Sequence, residues 1–502
     1  MKNSRPLNPL RALRRFLALA STLLAAVLSA PAPAFAADAA KPNILFILAE
    51  DIGKHLACYG EPLVSTPHLD QLAARGVRYN NAFTTAPVCS ASRSAMITGM
   101  YQTTIGAHQH RTWQWNKKPL PDGVRTITDY FRDAGYYTCN LAAGPGKAAK
   151  KAAGGLTGSA GAGKTDFNFL TPTPPFDGND WADRKPGQPF FAQITINESH
   201  KGPGWTFARS KDAPIPHVDA AKIKLPPYYP DHPVAREEYA NYLDAIALMD
   251  SYVGELLARL EKDGLAQNTI VVFIGDNGQC LFRSKQFLYD GGISIPLLIA
   301  WPDRRRAGAV DDQMVSSIDI SAAMLGFAGV KTNPVFQGRD FLAPGATPRS
   351  HIFAARDRMD ESTDRMRAVR TPQWKYIRNY FPAIPYMQRN AYKENQYPTW
   401  NLVKQLAKEG KLTPEAALFA ADRKPVEELF DVSADPHEVK NLAGNPAHAA
   451  KLRELRGLVD KWVVESGDKG GVIEDPLDIY KGYNGRLPDE SPAATPAGKK
   501  KK

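Results

Sequence analysis

Cysteine is scarce in this chain. Four occur in 502 residues, Cys58, Cys89, Cys139 and Cys280, with no C-x-x-C pair. That excludes a disulfide-dense scaffold and leaves a single disulfide compatible with the count. A membrane-length hydrophobic run is also missing at the N-terminus. The apolar stretch Phe16 to Leu28 is 13 residues, short of the roughly 18 needed to span a bilayer. Acidic residues are absent from the first 36 positions, where a basic stretch ends at Arg14-Arg15 and the apolar run leads to Ala34-Phe35-Ala36. This is the pattern of a cleaved secretory signal at 1–36, with a mature chain from about Ala37 in the periplasm or outside the cell. Arg14-Arg15 hints at twin-arginine export. No cysteine lies near the cut, so neither a lipid anchor nor any other stable membrane anchor is expected.

The net charge of +11 suggests a polyanionic partner until it is mapped. Residues 1–36 carry +5 and Lys499 to Lys502 carry +4, which leaves +2 for the body. Nucleic acid is therefore not an expected partner, and any anion-binding surface must be local.

Length allows a large core and two domains. Asn43 to Leu48 and Thr269 to Ile274 are apolar runs of strand length, as strands buried on both faces should be, and Phe190 to Ile196 is a third strand candidate. Each ends in polar residues: Glu50-Asp51, Asn197-Glu198-Ser199-His200 and Asp276-Asn277. Arg236 to Leu260 spaces its apolar residues as an amphipathic helix feeding the run from Thr269. Open α/β sheets bind ligands at the carboxyl ends of their strands, so the three polar clusters point to one site. After about residue 345 the pattern shifts. Arg367 to Arg370 and Trp374 to Ile377 read as antiparallel strands, with a helix from Ala449 to Val464 packed on them. The expected organisation is 37–345, a smaller α+β unit at 346–470, and a tail at 471–502 whose end is left disordered.

Glu50, Asp51, Asp276 and Asn277 form an all-oxygen set at two strand ends, the donors a hard divalent cation such as Ca²⁺ wants. Any one of these acids, taken alone, reads as a solvated loop residue. Gly158 to Thr165 fits the nucleotide-binding pattern G-x-x-x-x-G-K-T. It is preceded by an Ala/Gly/Lys-rich run and followed by prolines, so it lacks the required strand and helix, and no nucleotide is expected. His108 and His110, spaced i, i+2, read first as loop surface and second as pocket lining. His55, Arg356 and Asp357 are weaker pocket candidates.

Cys89 by itself reads as a small buried hydrophobe. Its setting is Cys89-Ser90-Ala91-Ser92-Arg93, after Thr-Thr-Ala-Pro and before Ser-Ala-Met-Ile-Thr-Gly-Met. This resembles the maturation signature C-x-[P/A]-x-R of type I sulfatases, in the alkaline phosphatase superfamily. Lys285 and Arg283, within Phe282 to Gly292, resemble a further family segment, as do His200, Gly163-Lys164 and the stretch Glu428 to Ala443. The resemblance covers about residues 41–466. It implies a large mixed-sheet α/β domain with a smaller C-terminal α+β domain. It implies conversion of Cys89 to formylglycine by a maturating enzyme, and one Ca²⁺ held by Glu50, Asp51, Asp276, Asn277 and the residue made from Cys89. It also implies Arg93, Lys164, His200 and Lys285 as catalytic groups; His108, His110 and Asp166 are the candidates at the substrate, with Arg283 a weaker one. His200 is the expected proton donor to the leaving group, because imidazole titrates near neutrality.

Two positions depart from the family pattern. Glu50 replaces an Asp, and Asp166 stands where many sulfatases have a histidine. Leu225 to Asp231, the Asp276-Asn277-Gly278 turn and Asp435 to Glu438 look closest to the heparan N-sulfatase group. The activity implied is hydrolysis of a sulfate ester or sulfamate on a sulfated saccharide. Alternatives are a phosphomonoesterase or phosphodiesterase of the superfamily, or a non-catalytic glycan-binding relative.

Overall fold

The computed structural model describes residues 41–112, 117–142 and 163–471. The expected signal sequence, most of the Ala/Gly/Lys-rich run and the tail beyond 471 lie outside the described residues. No helix among the described residues is long and apolar enough to cross a membrane. All four cysteines are free, so the single disulfide left open by the sequence does not form.

Seven strands form a mixed sheet in the order 137–142, 190–196, 43–49, 269–275, 294–300, 77–83, 309–316. The first four are parallel, and 294–300 runs antiparallel to both of its neighbours. The three expected strands are its centre, and alternation explains why they are mostly apolar. Leu45, Ile47, Val271 and Phe273 face one core, and Ile44, Phe46, Ile270 and Val272 face the other. A strand covered on both faces favours apolar residues at every position, and the polar exceptions, Gln193 and Thr195, are buried with hydrogen-bond partners. The first core is closed by the helix Pro233–Lys262 through Leu243, Ile246, Met249 and Val253. Pro233 starts that helix, the His232 ring accepts the Val234 N–H at 3.2 Å, and Arg259 and Lys262 sit at its negative end. The helices Ile127–Asp133 and Ser317–Phe327 supply Phe131, Ile320 and Met324 to the opposite core.

A second, four-stranded antiparallel sheet has the order 352–356, 366–370, 374–379, 427–431. The two expected strands pair with Ala368 opposite Ile377. The helix Ala449–Glu465 packs Leu452, Leu455 and Val459 on Val369, Tyr376 and Leu429. A buried ionic seam joins this sheet to the larger one. Lys375 donates to the Leu288 carbonyl at 3.0 Å, lies 2.7 Å from Glu438 and pairs with Asp290. Arg370 reaches the same Asp290 at 3.0 Å.

Candidate active site

The register of the parallel strands sets the site. Ala49 is level with Ile196 on one side and Gly275 on the other, so the chain leaves all three strands at one edge. The Glu50 N–H continues the ladder to Ile196 O at 3.1 Å, and that of Asp276 to Ala49 O at 3.0 Å. Glu50, Asp51, Asp276 and Asn277 are all buried there.

Cys89 opens the helix Cys89–Thr98, entered from an extended Val88 and ended by Gly99 at φ 64°. All ten helical residues are buried. Its hydroxyls are satisfied locally: Ser94 donates to Ser90 O at 2.7 Å, Thr98 to Ser94 O at 2.8 Å, and Ser92 to Asp276 O at 2.5 Å. Arg93 follows Cys89 by four residues and shares its helix face. Its guanidinium gathers the strand ends, with Nη2 2.8 Å from Glu50, Nε 2.9 Å from Asp276 and Nη1 2.9 Å from the Thr195 hydroxyl.

Gly163 brings Lys164 in. Its N–H donates to Asn140 O at 3.0 Å, and its carbonyl accepts the Asn140 amide at 2.6 Å. A Cβ there would lie 2.2 Å from Leu141 O, so only glycine approaches the strand this closely. Lys164 Nζ then reaches Glu50 at 2.7 Å and Asp166 at 3.6 Å. Residues 163–167 form no helix, which removes the P-loop reading. Lys285 is buried, 2.6 Å from Asp51, and the Gln286 N–H on Pro87 O at 2.8 Å docks its segment beside the turn before Cys89. His200 Nε2 is 3.8 Å from Asp51.

Three carboxylates thus face three cations: Glu50, Asp51 and Asp276 against Arg93, Lys164 and Lys285. Burial opposes the charge on Glu50, but Lys164 and Arg93 outweigh it and hold that carboxyl well below the usual range. Asp51 is likewise lowered by Lys285 against its burial. Asp276 is pushed up to about 6 by burial, with Glu50 and Asp51 adding to the rise. Burial also pushes the Cys89 thiol up to about 12, so the unmodified side chain stays protonated.

Several expectations change. His200 falls to about 4, because burial and the Lys285 charge disfavour the imidazolium. It is neutral at pH 7 and does not titrate near neutrality. His108 and His110 are buried rather than loop surface. His110 Nδ1 is 2.9 Å from the Ser90 hydroxyl and Nε2 is 3.4 Å from Asp360. Arg283 is not at the substrate position expected. Its guanidinium donates to His437 O at 2.8 Å and Glu438 O at 2.6 Å and stacks on Tyr289 and Tyr228, a clamp on the C-terminal unit. His55 is taken by the hydroxyls of Tyr239 and Tyr242, and Asp357 pairs with Arg367 at 3.1 Å, while Arg356 lies over the Phe287 ring. Two residues escaped the sequence reading. Thr195 was hidden inside an apolar strand, and Tyr392, whose ring is 5.3 Å from Lys285 Nζ and 6.2 Å from the His200 ring, lies outside any motif.

Comparison with known proteins gives this geometry its family. The sulfatase family model matches residues 42–330. The chain belongs to the sulfatase family. A second model, N-sulphoglucosamine sulphohydrolase, C-terminal, matches residues 278–387 of this sulfatase. An ulvan-active sulfatase of Formosa agariphila is 35% identical over 489 residues, covering 89% of this chain and 78% of that one. Human N-sulphoglucosamine sulphohydrolase is 27% identical over 482 residues, covering 87% and 93%. A solved structure of a protein in complex with its substrate D-glucosamine-2-N,6-O-disulfate shares the fold at TM-score 0.59 and 17% identity, covering 85% of this chain and 98% of that one. This sulfatase is thus a sulfuric ester hydrolase, near the heparan N-sulfatase group.

Proposed function

We propose that the enzyme is exported and removes sulfate from a sulfated saccharide, as an ester or a sulfamate, using a formylglycine made from Cys89 by a maturating enzyme and one Ca²⁺. The saccharide rests on the printed activities of its relatives, and the export on the pattern of residues 1–36. The observation that carries the chemistry is Arg93, which locks the helix beginning at Cys89 onto the strand ends holding Glu50 and Asp276.

Among the described residues no three acidic, histidine or cysteine side chains close a metal-holding group. The donors present nevertheless fit a hard cation. Asn277 Oδ1 is buried with no hydrogen-bond partner, while its amide donates to Asp51 at 2.9 Å and Asp276 accepts the Asp51 N–H at 3.0 Å. Glu50, Asp51, Asp276 and Asn277 would hold the ion. Once loaded, formylglycine and the cation supply a hydroxyl nucleophile and a polarised sulfate oxygen. The protein's own side chains do the rest. Lys164 and Lys285 offset charge on the sulfate oxygens, the electrostatic contribution that usually dominates such catalysis. Lys285, an ammonium held charged by Asp51 despite its burial, is placed to donate a proton to the leaving oxygen or nitrogen. His200, neutral beside it, is placed to accept one.

The test joins the mass of the Cys89 peptide, metal content and sulfate release. Expected are loss of the thiol sulfur, one Ca²⁺ per chain, and release from sulfated sugars, with N-sulfated glucosamine first in the panel. Cys89→Ala should fold and lose turnover by several orders of magnitude. Retained turnover in that variant sinks the reading.

A further inference from the structure

Arg111 sits at the mouth of this site and has nothing to hold. It is exposed, and among the described residues its guanidinium makes no ion pair or hydrogen bond. Other arginines of the molecule behave differently. Arg93, Arg283 and Arg367 are buried and engaged with carboxylates or carbonyls. Its backbone is also unusual, with a left-handed φ of 57°. A non-glycine residue costs roughly 1 kcal/mol or more there and needs its surroundings to impose it. Two contacts do so. The Arg111 N–H donates to the Ser90 hydroxyl at 3.1 Å, one residue from the nucleophile, and the His110 N–H donates to Arg358 O at 2.9 Å. A strained backbone therefore holds a cation without an ion pair among the described residues against the helix that begins at Cys89.

Its surroundings fix what it faces. The charges that act on Arg111 are those of Cys89, Asp360, Asp166 and Tyr392, all from the site. Lys117, half-buried and also without an ion pair among the described residues, feels Asp166 as well. The inner cations, Arg93, Lys164 and Lys285, already match Glu50, Asp51 and Asp276 one for one. The proposed function binds the scissile sulfate among them, which leaves Arg111 surplus to it.

We propose that Arg111, assisted by Lys117, binds a second anionic group of the substrate, so that the enzyme prefers a saccharide bearing a carboxylate or another sulfate beside the one it removes. This rests on the sulfated-saccharide reading above. A charge-assisted hydrogen bond of this type is worth about 10- to 100-fold in kcat/KM.

The experiment compares Arg111→Ala, Arg111→Lys and Lys117→Ala with the natural enzyme on three substrates: a singly sulfated glucosamine, a doubly sulfated glucosamine, and a sulfated disaccharide with a uronate. Arg111→Ala should lose about 10- to 100-fold on one or both doubly anionic substrates, mainly in KM, and less than about threefold on the singly sulfated sugar. Arg111→Lys should recover part of the loss, since it keeps charge without the fork. The substrate that responds identifies the second group as sulfate or carboxylate. Equal losses on all three, or a natural enzyme without preference for a second charge, overturn the proposal while leaving the saccharide reading standing. No release from any sugar by the natural, formylglycine-bearing enzyme takes down both.

Discussion

Glu50 shows what single residues reveal and conceal. It carries one methylene more than the Asp of the family pattern, yet in the fold it is held twice, by Arg93 at 2.8 Å and Lys164 at 2.7 Å. The residue types at the strand ends were legible because opposed acids beside a helix-borne arginine have few other uses. Arg283 was not. A motif gives neighbours in sequence, and its partners are carbonyls more than 150 positions away. Glu198 carries a prediction at this scale. It is buried, its Oε2 has no hydrogen-bond partner, and burial raises its pKa from 4.5 to about 7. A raised carboxyl adds stability that is complete below its unfolded pKa and is lost as pH climbs through about 7. Between pH 5 and 8 this group should cost the fold about 1–3 kcal/mol. Glu198→Gln should therefore flatten the fall in melting temperature over that range. An unchanged slope would show that Glu198 stays neutral, or is solvated, at pH 8.

At the scale of elements, strands and helices were readable wherever both faces or one face had to be apolar. The strands at 43–49, 190–196 and 269–275 are mostly apolar on both faces, and the helix Pro233–Lys262 extends only a few residues past its periodic core. The Gly163-Lys164 element was harder, because its local pattern imitates a phosphate loop and its meaning lies in which strand it rests on. Gly163→Ala tests that placement. The new Cβ would meet Leu141 O at 2.2 Å and Asn140 Oδ1 at 2.7 Å, mostly backbone that cannot step aside. Overpacking of this kind costs about 1–3 kcal/mol. The larger effect should be on catalysis, since Lys164 would be pushed off Glu50 and away from its proposed place at the sulfate. Lys164→Ala should lower kcat more than it raises KM, and Gly163→Ala should reproduce that split in part. A Gly163→Ala enzyme with unaltered kinetics would detach Lys164 from the strand edge.

The whole molecule depends on a seam that composition could not disclose. Lys375 is fully buried on the small sheet, and it meets the Leu288 carbonyl, Asp290 and Glu438. Arg370 shares Asp290, and Asp290 N–H donates to Glu438 at 2.7 Å. The large sheet therefore supplies one acid and a carbonyl, and the C-terminal unit supplies the cations and the other acid. Removing one partner of such a network leaves buried charge uncompensated, which costs about 3–5 kcal/mol. Lys375→Ala should accordingly lower stability by about that much in denaturant unfolding. Because the network spans both sheets, the natural enzyme should unfold in a single transition. The site should suffer as well. Tyr392 and Lys393 come from the C-terminal unit, and Lys393 Nζ holds the Lys285 carbonyl at 3.0 Å. A loosened seam then moves Lys285 and lowers kcat before the protein unfolds. Full activity in a Lys375→Ala enzyme destabilised by the expected amount would separate the seam from catalysis. Two transitions in the natural enzyme would show the sheets to be independent folding units, with the ions contributing orientation rather than cohesion.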